Sequence, residues 1–138
     1  MKIVPRSLKQ DGKDSSGKAE TDGGGAALSR FFNDAEEALL TGDVDFFAGH
    51  FSTNVVLNLR DSESGSFSSN QAFYVFRNYL RNRKIVHLDL VQGGGNRSNP
   101  YASGVAGVNI QGSRETMNVY IEVRKTGDGW AVIQITFS

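Results

Sequence analysis

Cysteine is absent from this sequence. That removes a disulfide framework, a thiolate nucleophile and a thiolate metal ligand, and says little about compartment. Two histidines and two prolines leave little material for a metal centre or a kinked scaffold. Charge of one sign is also missing: 15 basic residues balance 15 acidic ones. The whole protein therefore has no strong electrostatic bias toward nucleic acid or anionic lipid, and no nucleic-acid partner is expected. Long apolar runs are missing too, since none approaches the ~20 residues of a membrane span. No sequence motif points to a cofactor.

What is present suits one packed domain: 138 residues, 38% of them hydrophobic. Residues 1–25 stand apart. They are rich in Lys, Asp, Ser and Gly, with Ile3, Val4 and Leu8 as the only aliphatics larger than Ala. Such a stretch buries too little apolar surface to offset its ordering entropy, so it reads as a disordered tail ending in the flexible Gly23–Gly25. Met1-Lys2 and two apolar residues do not make a secretory leader, which needs an apolar region of ~7–15 residues. The location is therefore left open: periplasmic or secreted if a leader lies upstream, otherwise cytoplasmic.

From Ala26 the periodicity is helical. Ala27, Leu28, Phe31, Phe32, Ala35, Leu39 and Leu40 share one stripe. Gly42 suits the end of that helix, and Asp43 can cap a second, short one carrying Val44, Phe47 and Phe51. Asn54–Arg60 then alternates as a strand. The polar turn Asp61–Ser66 leads to a possible brief strand near Phe67. Ser68 and Gln71 have capping-box spacing and open a third helix with Phe73, Phe76, Tyr79 and Leu80 on its buried stripe. Arg77, Arg81, Arg83 and Lys84 gather toward its C-terminus, where cations favour the helix dipole.

Four strands close the chain: Ile85–Gln92, Gly104–Ile110, Thr116–Arg124 and Trp130–Phe137. Between them lie a glycine loop at Gly93–Asn96, a turn at Gln111–Arg114, and Asp128-Gly129, a hairpin signal. Helices grouped apart from consecutive antiparallel strands describe an α+β fold, and exclude a doubly wound parallel sheet.

The run from Ala26 to Leu59 and the run from Ser68 to Gly94 resemble the nuclear transport factor 2-like superfamily. This cystatin-like α+β cone is shared with ketosteroid isomerases, SnoaL-like cyclases and scytalone dehydratase. Ser69-Asn70-Gln71-Ala72, Tyr79 and the strand after it, and Tyr101 leading to Gly104, are similar to a bacterial family of unknown function within that superfamily, often exported. The resemblance covers about residues 26–138. It implies three helices packed on the concave face of a curved, mainly antiparallel sheet of four to six strands. It also implies that any acid–base residues would project into the concave pocket.

The inward register predicted from alternation is Val55, Leu57, Leu59; Val86, Leu88, Leu90; Ala106, Val108, Ile110; Met117, Val119, Ile121, Val123; and Ala131, Ile133, Ile135, Phe137. None is ionisable, whereas general acid–base catalysis needs a positioned proton acceptor. No catalytic residue is assigned, and the predicted role is a non-catalytic binding or accessory domain. Its possible pocket for a small apolar ligand would be lined by Phe32, Phe47, Phe51, Leu57, Phe73, Phe76, Leu88, Val108, Val119, Ile121 and Ile133. A lyase or isomerase of the ketosteroid-isomerase or SnoaL type is the alternative, and a structural dimerisation module the third.

His87 and Asp89 share a strand face, but a metal site would need further ligands and His50 has none beside it. Asp61 and Glu63 lack calcium-loop spacing. Gly93–Gly95 precedes no helix on which a phosphate could sit. The basic group on the third helix reads as helix-end charge. The outward register mixes aromatics with uncharged amides, an interface mark. A symmetric homodimer through Asn58, His87, Asp89, Asn118, Tyr120, Trp130 and Gln134 is therefore expected.

Overall fold

The computed structural model describes residues 23–93, 99–127 and 129–138. The tail over 1–22, most of the glycine loop, and Asp128 of the hairpin signal lie outside the described residues. Two compact units divide the chain at residue 31. The described part of the first, Gly23–Phe31, is helical.

The elements are helix α1 (Gly23–Thr41), helix α2 (Val44–Ala48), strands β1 (Phe51–Leu59) and β2 (Ser64–Ser68), helix α3 (Ser69–Arg81), and strands β3 (Lys84–Gly93), β4 (Tyr101–Ile110), β5 (Ser113–Thr126) and β6 (Gly129–Phe137). The class is α+β. The six strands form one sheet in the order β2-β1-β6-β5-β4-β3. It is mixed: β1 runs parallel to β6, and every other pairing is antiparallel. The parallel pair follows from connectivity, because the long excursion through β2, α3 and the meander returns the last strand beside the first.

Local chemistry sets the helix ends. α1 begins inside the Gly23–Gly25 run rather than after it. Gly42, with φ of 77°, supplies the left-handed turn that ends the helix. Asp43 Oδ1 then accepts from Phe46 N at 3.3 Å and caps α2. α3 opens with a reciprocal capping box: Gln71 N donates to Ser68 Oγ at 3.3 Å, and Ser68 N donates to Gln71 Oε1 at 3.2 Å. Between β4 and β5, Gln111 and Gly112 both take positive φ, the geometry of a tight two-residue hairpin.

Residues 32–138 hold a core built on an aromatic cluster. Phe47 and Phe76 meet edge to face at 5.3 Å. Phe76 and Tyr79 lie against Phe137 at 6.1 and 5.4 Å. Val55, Leu57, Val119, Ile121 and Ile135 of the same unit are fully buried.

Three expectations need correction. Phe51 is the first residue of β1 rather than part of the second helix. The chain there is committed to the sheet, since Val132 N donates to His50 O at 2.7 Å. In β3 a bulge at Val86 shifts the register between Ile85 and His87. One extra residue flips the parity on its far side, so Ile85 is buried and Val86 half-exposed. A second bulge, at Ile133, lies between the Glu122–Gln134 and Val123–Val132 pairs. Val132, expected outward, is fully buried, and Ile133, expected inward, is half-buried.

Candidate functional site

The inner face of the sheet, the one carrying the buried residues, is where an acid–base site would have to sit. Of the eleven pocket candidates, Phe32, Phe47, Leu57, Phe76, Leu88, Val108, Val119 and Ile121 are buried. Phe51, Phe73 and Ile133 are half-buried. Eight of the eleven are thus core residues. Among the described residues of the 32–138 unit, cavities lie beside α3 and at the end of β1, and of the eleven candidates Phe73 lines one of them.

Tyr79 is the ionisable side chain of this buried core, among the described residues. Its hydroxyl donates to Arg60 O at 3.2 Å and contacts Met117 Sδ at 3.6 Å. Burial pushes the phenol up from its ordinary value near 10.0, partly opposed by the Arg83 charge. The Arg83 guanidinium lies 4.0 Å above the Tyr79 ring. Tyr79 is therefore a protonated structural donor at neutral pH, with its hydrogen committed to a backbone carbonyl.

Sequence alternation missed two features at the margins. Glu115 lies opposite Val108, on the inner register where β5 begins, and sits 3.9 Å from Arg60 with 41% of its side chain exposed. Ser52 is buried, and Arg124 Nη2 donates to its Oγ at 3.1 Å. Neither had a periodic signal, because one lies at a strand end and the other beside the irregular start of β1.

The outer face is organised in rows, since directly paired residues point the same way. One row runs Asn58, Thr136, Tyr120, Ser103, Val91, and the next Val56, Gln134, Glu122, Tyr101, Gly93. Asn118, Val105 and Asp89 form a third, and Thr116, Gly107 and His87 a fourth. Tyr101 and Tyr120 stack at 5.2 Å. The Tyr120 hydroxyl donates to Glu122 Oε1 at 2.8 Å. Asn58 and Gln134 both donate to Thr136 Oγ1, at 3.3 and 3.2 Å. His87 Nε2 and Asp89 Oδ2 lie 3.3 Å apart, both largely exposed. Val91 and Val105 are exposed by 69% and 51%.

Six of the seven dimer-face candidates lie on these rows. Trp130 does not. It pairs with Lys125, two residues beyond Val123 on the inner register, and the Lys125 ammonium lies 4.9 Å from its ring. The bulge at Ile133 moves it across the sheet.

His50, isolated in sequence, places Nδ1 2.7 Å from Phe46 O. A carbonyl only accepts, so Nδ1 carries the hydrogen. Among the described residues, no three His, Asp or Glu side chains gather as a metal site. No described helix is long and apolar enough to cross a membrane.

Comparison with known proteins places the fold. A DUF4783 family protein from Bacteroides ovatus superposes with a TM-score of 0.62 at 14% identity, over 73% of this chain and 87% of that one. An NTF2-like protein of unknown function in nutrient uptake from Rhodospirillum rubrum gives 0.58 at 16%, over 80% and 96%. A putative dehydratase from the NTF2-like family of Streptomyces avermitilis gives 0.66 at 12%, over 86% and 96%. At these identities the likeness shows the fold alone. No curated protein matches the chain. The family model of a domain of unknown function, DUF4783, matches residues 32–138. This chain therefore belongs to the DUF4783 family and has the nuclear transport factor 2-like fold.

Proposed function

We propose that this chain is a non-catalytic binding or accessory domain that works through the outer face of its sheet, where two copies associate as a symmetric homodimer. One observation carries the reading: Val91 and Val105 stand exposed beside the stacked Tyr101–Tyr120 pair, on a face otherwise rich in amides and hydroxyls. Isolated exposed valines are ordinary. Here they neighbour an aromatic pair on adjoining rows, the mix of apolar centre and polar rim that interfaces favour. In this reading the sheet of the 32–138 unit curves around its helices, and its concave side is filled by the Phe47–Phe76–Phe137 cluster. A small apolar ligand would have to displace those rings.

A lyase or isomerase would need a base on the inner face. Glu115 is the carboxylate on that register, and its half-exposed, Arg60-paired position suits a structural rim charge better than a tuned base.

The test is a dilution series followed by backbone chemical shifts. Concentration-dependent shifts at His87–Asp89, Ser103–Val105 and Asn118–Glu122 are expected. A panel of apolar ligands should leave Phe47, Phe76, Leu88 and Ile121 unmoved. Shifts in that interior set without any on the outer face would overturn the reading.

A further inference from the structure

We propose a second binding surface, a groove along α3 that takes an acidic peptide segment of a partner protein through Arg77, Arg81 and Lys84. It goes beyond the sheet-face reading and does not depend on it. Three cavities of about 230, 360 and 340 Å³ adjoin one another here. All three are lined by Gly42; Leu80 and Arg81 are common to the first two, Val44 and Arg77 to the last two. Together they make an open trough between the end of α1 with its turn and the C-terminal half of α3. Leu39, Leu80, Ile85 and Val44 supply apolar lining.

The cations are more than the fold needs. Helix carbonyl ends attract positive charge, and Arg83 answers that need, with Nη1 on Tyr79 O at 3.2 Å and its guanidinium over the Tyr79 ring. Arg77 and Arg81 lie one turn apart on the same helix face, where like charges destabilise each other. Arg77 Cζ stacks 4.9 Å from the Tyr74 ring, which holds the guanidinium in place without neutralising it. Among the described residues, no carboxylate forms an ion pair with Arg77, Arg81 or Lys84. Asp43 and Asp45 line the same trough at the Phe73 end, so its charge runs from negative to positive along its length.

Charge complementarity then selects the partner. Guanidinium groups bind carboxylates as two-pronged forks. The spacing of Arg77 and Arg81 is about 6 Å along the helix axis, close to the repeat of alternate side chains in an extended peptide, roughly 6.6 Å. A single-headed amphiphile would call for one cation cluster at the end of a closed tunnel, and here the cations line an open trough. The absence of net charge on the chain argues against a polyanion such as nucleic acid.

The experiment is an anisotropy titration of the full chain with a short labelled peptide of Glu, Leu and Ser, alongside its Lys-for-Glu counterpart, a single-stranded oligonucleotide and laurate. The wild type should bind the Glu peptide, more weakly as salt rises, and prefer it to the other three. R77Q/R81Q should weaken that binding about tenfold with an unchanged melting temperature. R77E/R81E should exchange preference toward the Lys peptide, which a merely structural role of these arginines does not produce. Val105→Lys, on the outer face, should leave peptide binding intact, which separates this surface from the sheet. No binding of the Glu peptide, equal binding by R77Q/R81Q, or tighter binding of the oligonucleotide or laurate would overturn the proposal.

Discussion

The Glu36 carboxylate accepts a hydrogen bond from the backbone amide of Leu90 at 2.8 Å. β3 is the last strand of the sheet, so one of its sides has no neighbouring strand. An edge with unpaired amides is a template for unwanted pairing, and a covering charge blunts it. Glu36 performs that service from α1, fifty-four residues away in sequence. Replacing Glu36 by Ala should cost about 1.5–3 kcal/mol, the range for a hydrogen bond to a charged group. Glu36→Gln, which keeps an acceptor, should cost less. Denaturant unfolding and hydrogen exchange at Leu90 measure both, and unchanged exchange in Glu36→Ala would contradict the edge-cover account.

Directly opposite Leu90 on β4, Gly104 permits a close approach that no other residue allows. A Cβ built there would overlap the Asp89 carbonyl oxygen and lie 2.8 Å from its carbon. The obstruction is backbone, which cannot swing aside as a side chain does. Gly104→Ala should therefore destabilise by about 3 kcal/mol, the upper end for overpacking. Thermal unfolding checks it, and a melting temperature within a degree or so of wild type would refute the geometry.

Tyr79 links α3 to the strand ends through Arg60 and Met117. Tyr79→Phe should cost about 1 kcal/mol, one buried hydrogen bond. The sign of its pH dependence follows from burial. The folded phenol ionises above its ordinary value near 10.0, so the contribution is fully present below that value. It is lost as pH rises through the folded pKa, because the unfolded phenol releases its proton first. Alkaline unfolding of Tyr79→Phe should accordingly show a shallower loss of stability above pH about 10 than wild type. Identical alkaline profiles would show that Tyr79 does not carry this term.

Much of the fold was legible because its signals are local. The Ser68–Gln71 capping box, the glycine stop at Gly42 and the alternation of Met117–Val123 each depend on neighbours within a few residues. Register was legible only where strands lack bulges. At Val86 and Ile133 a single extra residue reverses every facing beyond it, and nothing in either strand's composition announces this. Trp130 shares the inner register with Val132 for that reason. The parallel pairing of β1 with β6 was illegible for a different cause: it joins segments some eighty residues apart. The burial of Leu57, Leu88, Val108, Val119 and Ile121 was legible in the apolar inward register. The trough along α3 was not, because Arg77 and Arg81 became a surface only when Leu39, Gly42 and Val44 were placed opposite them.

The outer-face account rests on Val105 and Tyr120 meeting their symmetry mates. Sedimentation equilibrium of the full chain at high micromolar concentration tests it most directly. The account predicts a mass twice the 15.0 kDa of one chain, returning to a single-chain mass in Val105→Lys with the fold intact. A wild-type protein that sediments as a single chain at that concentration would contradict it.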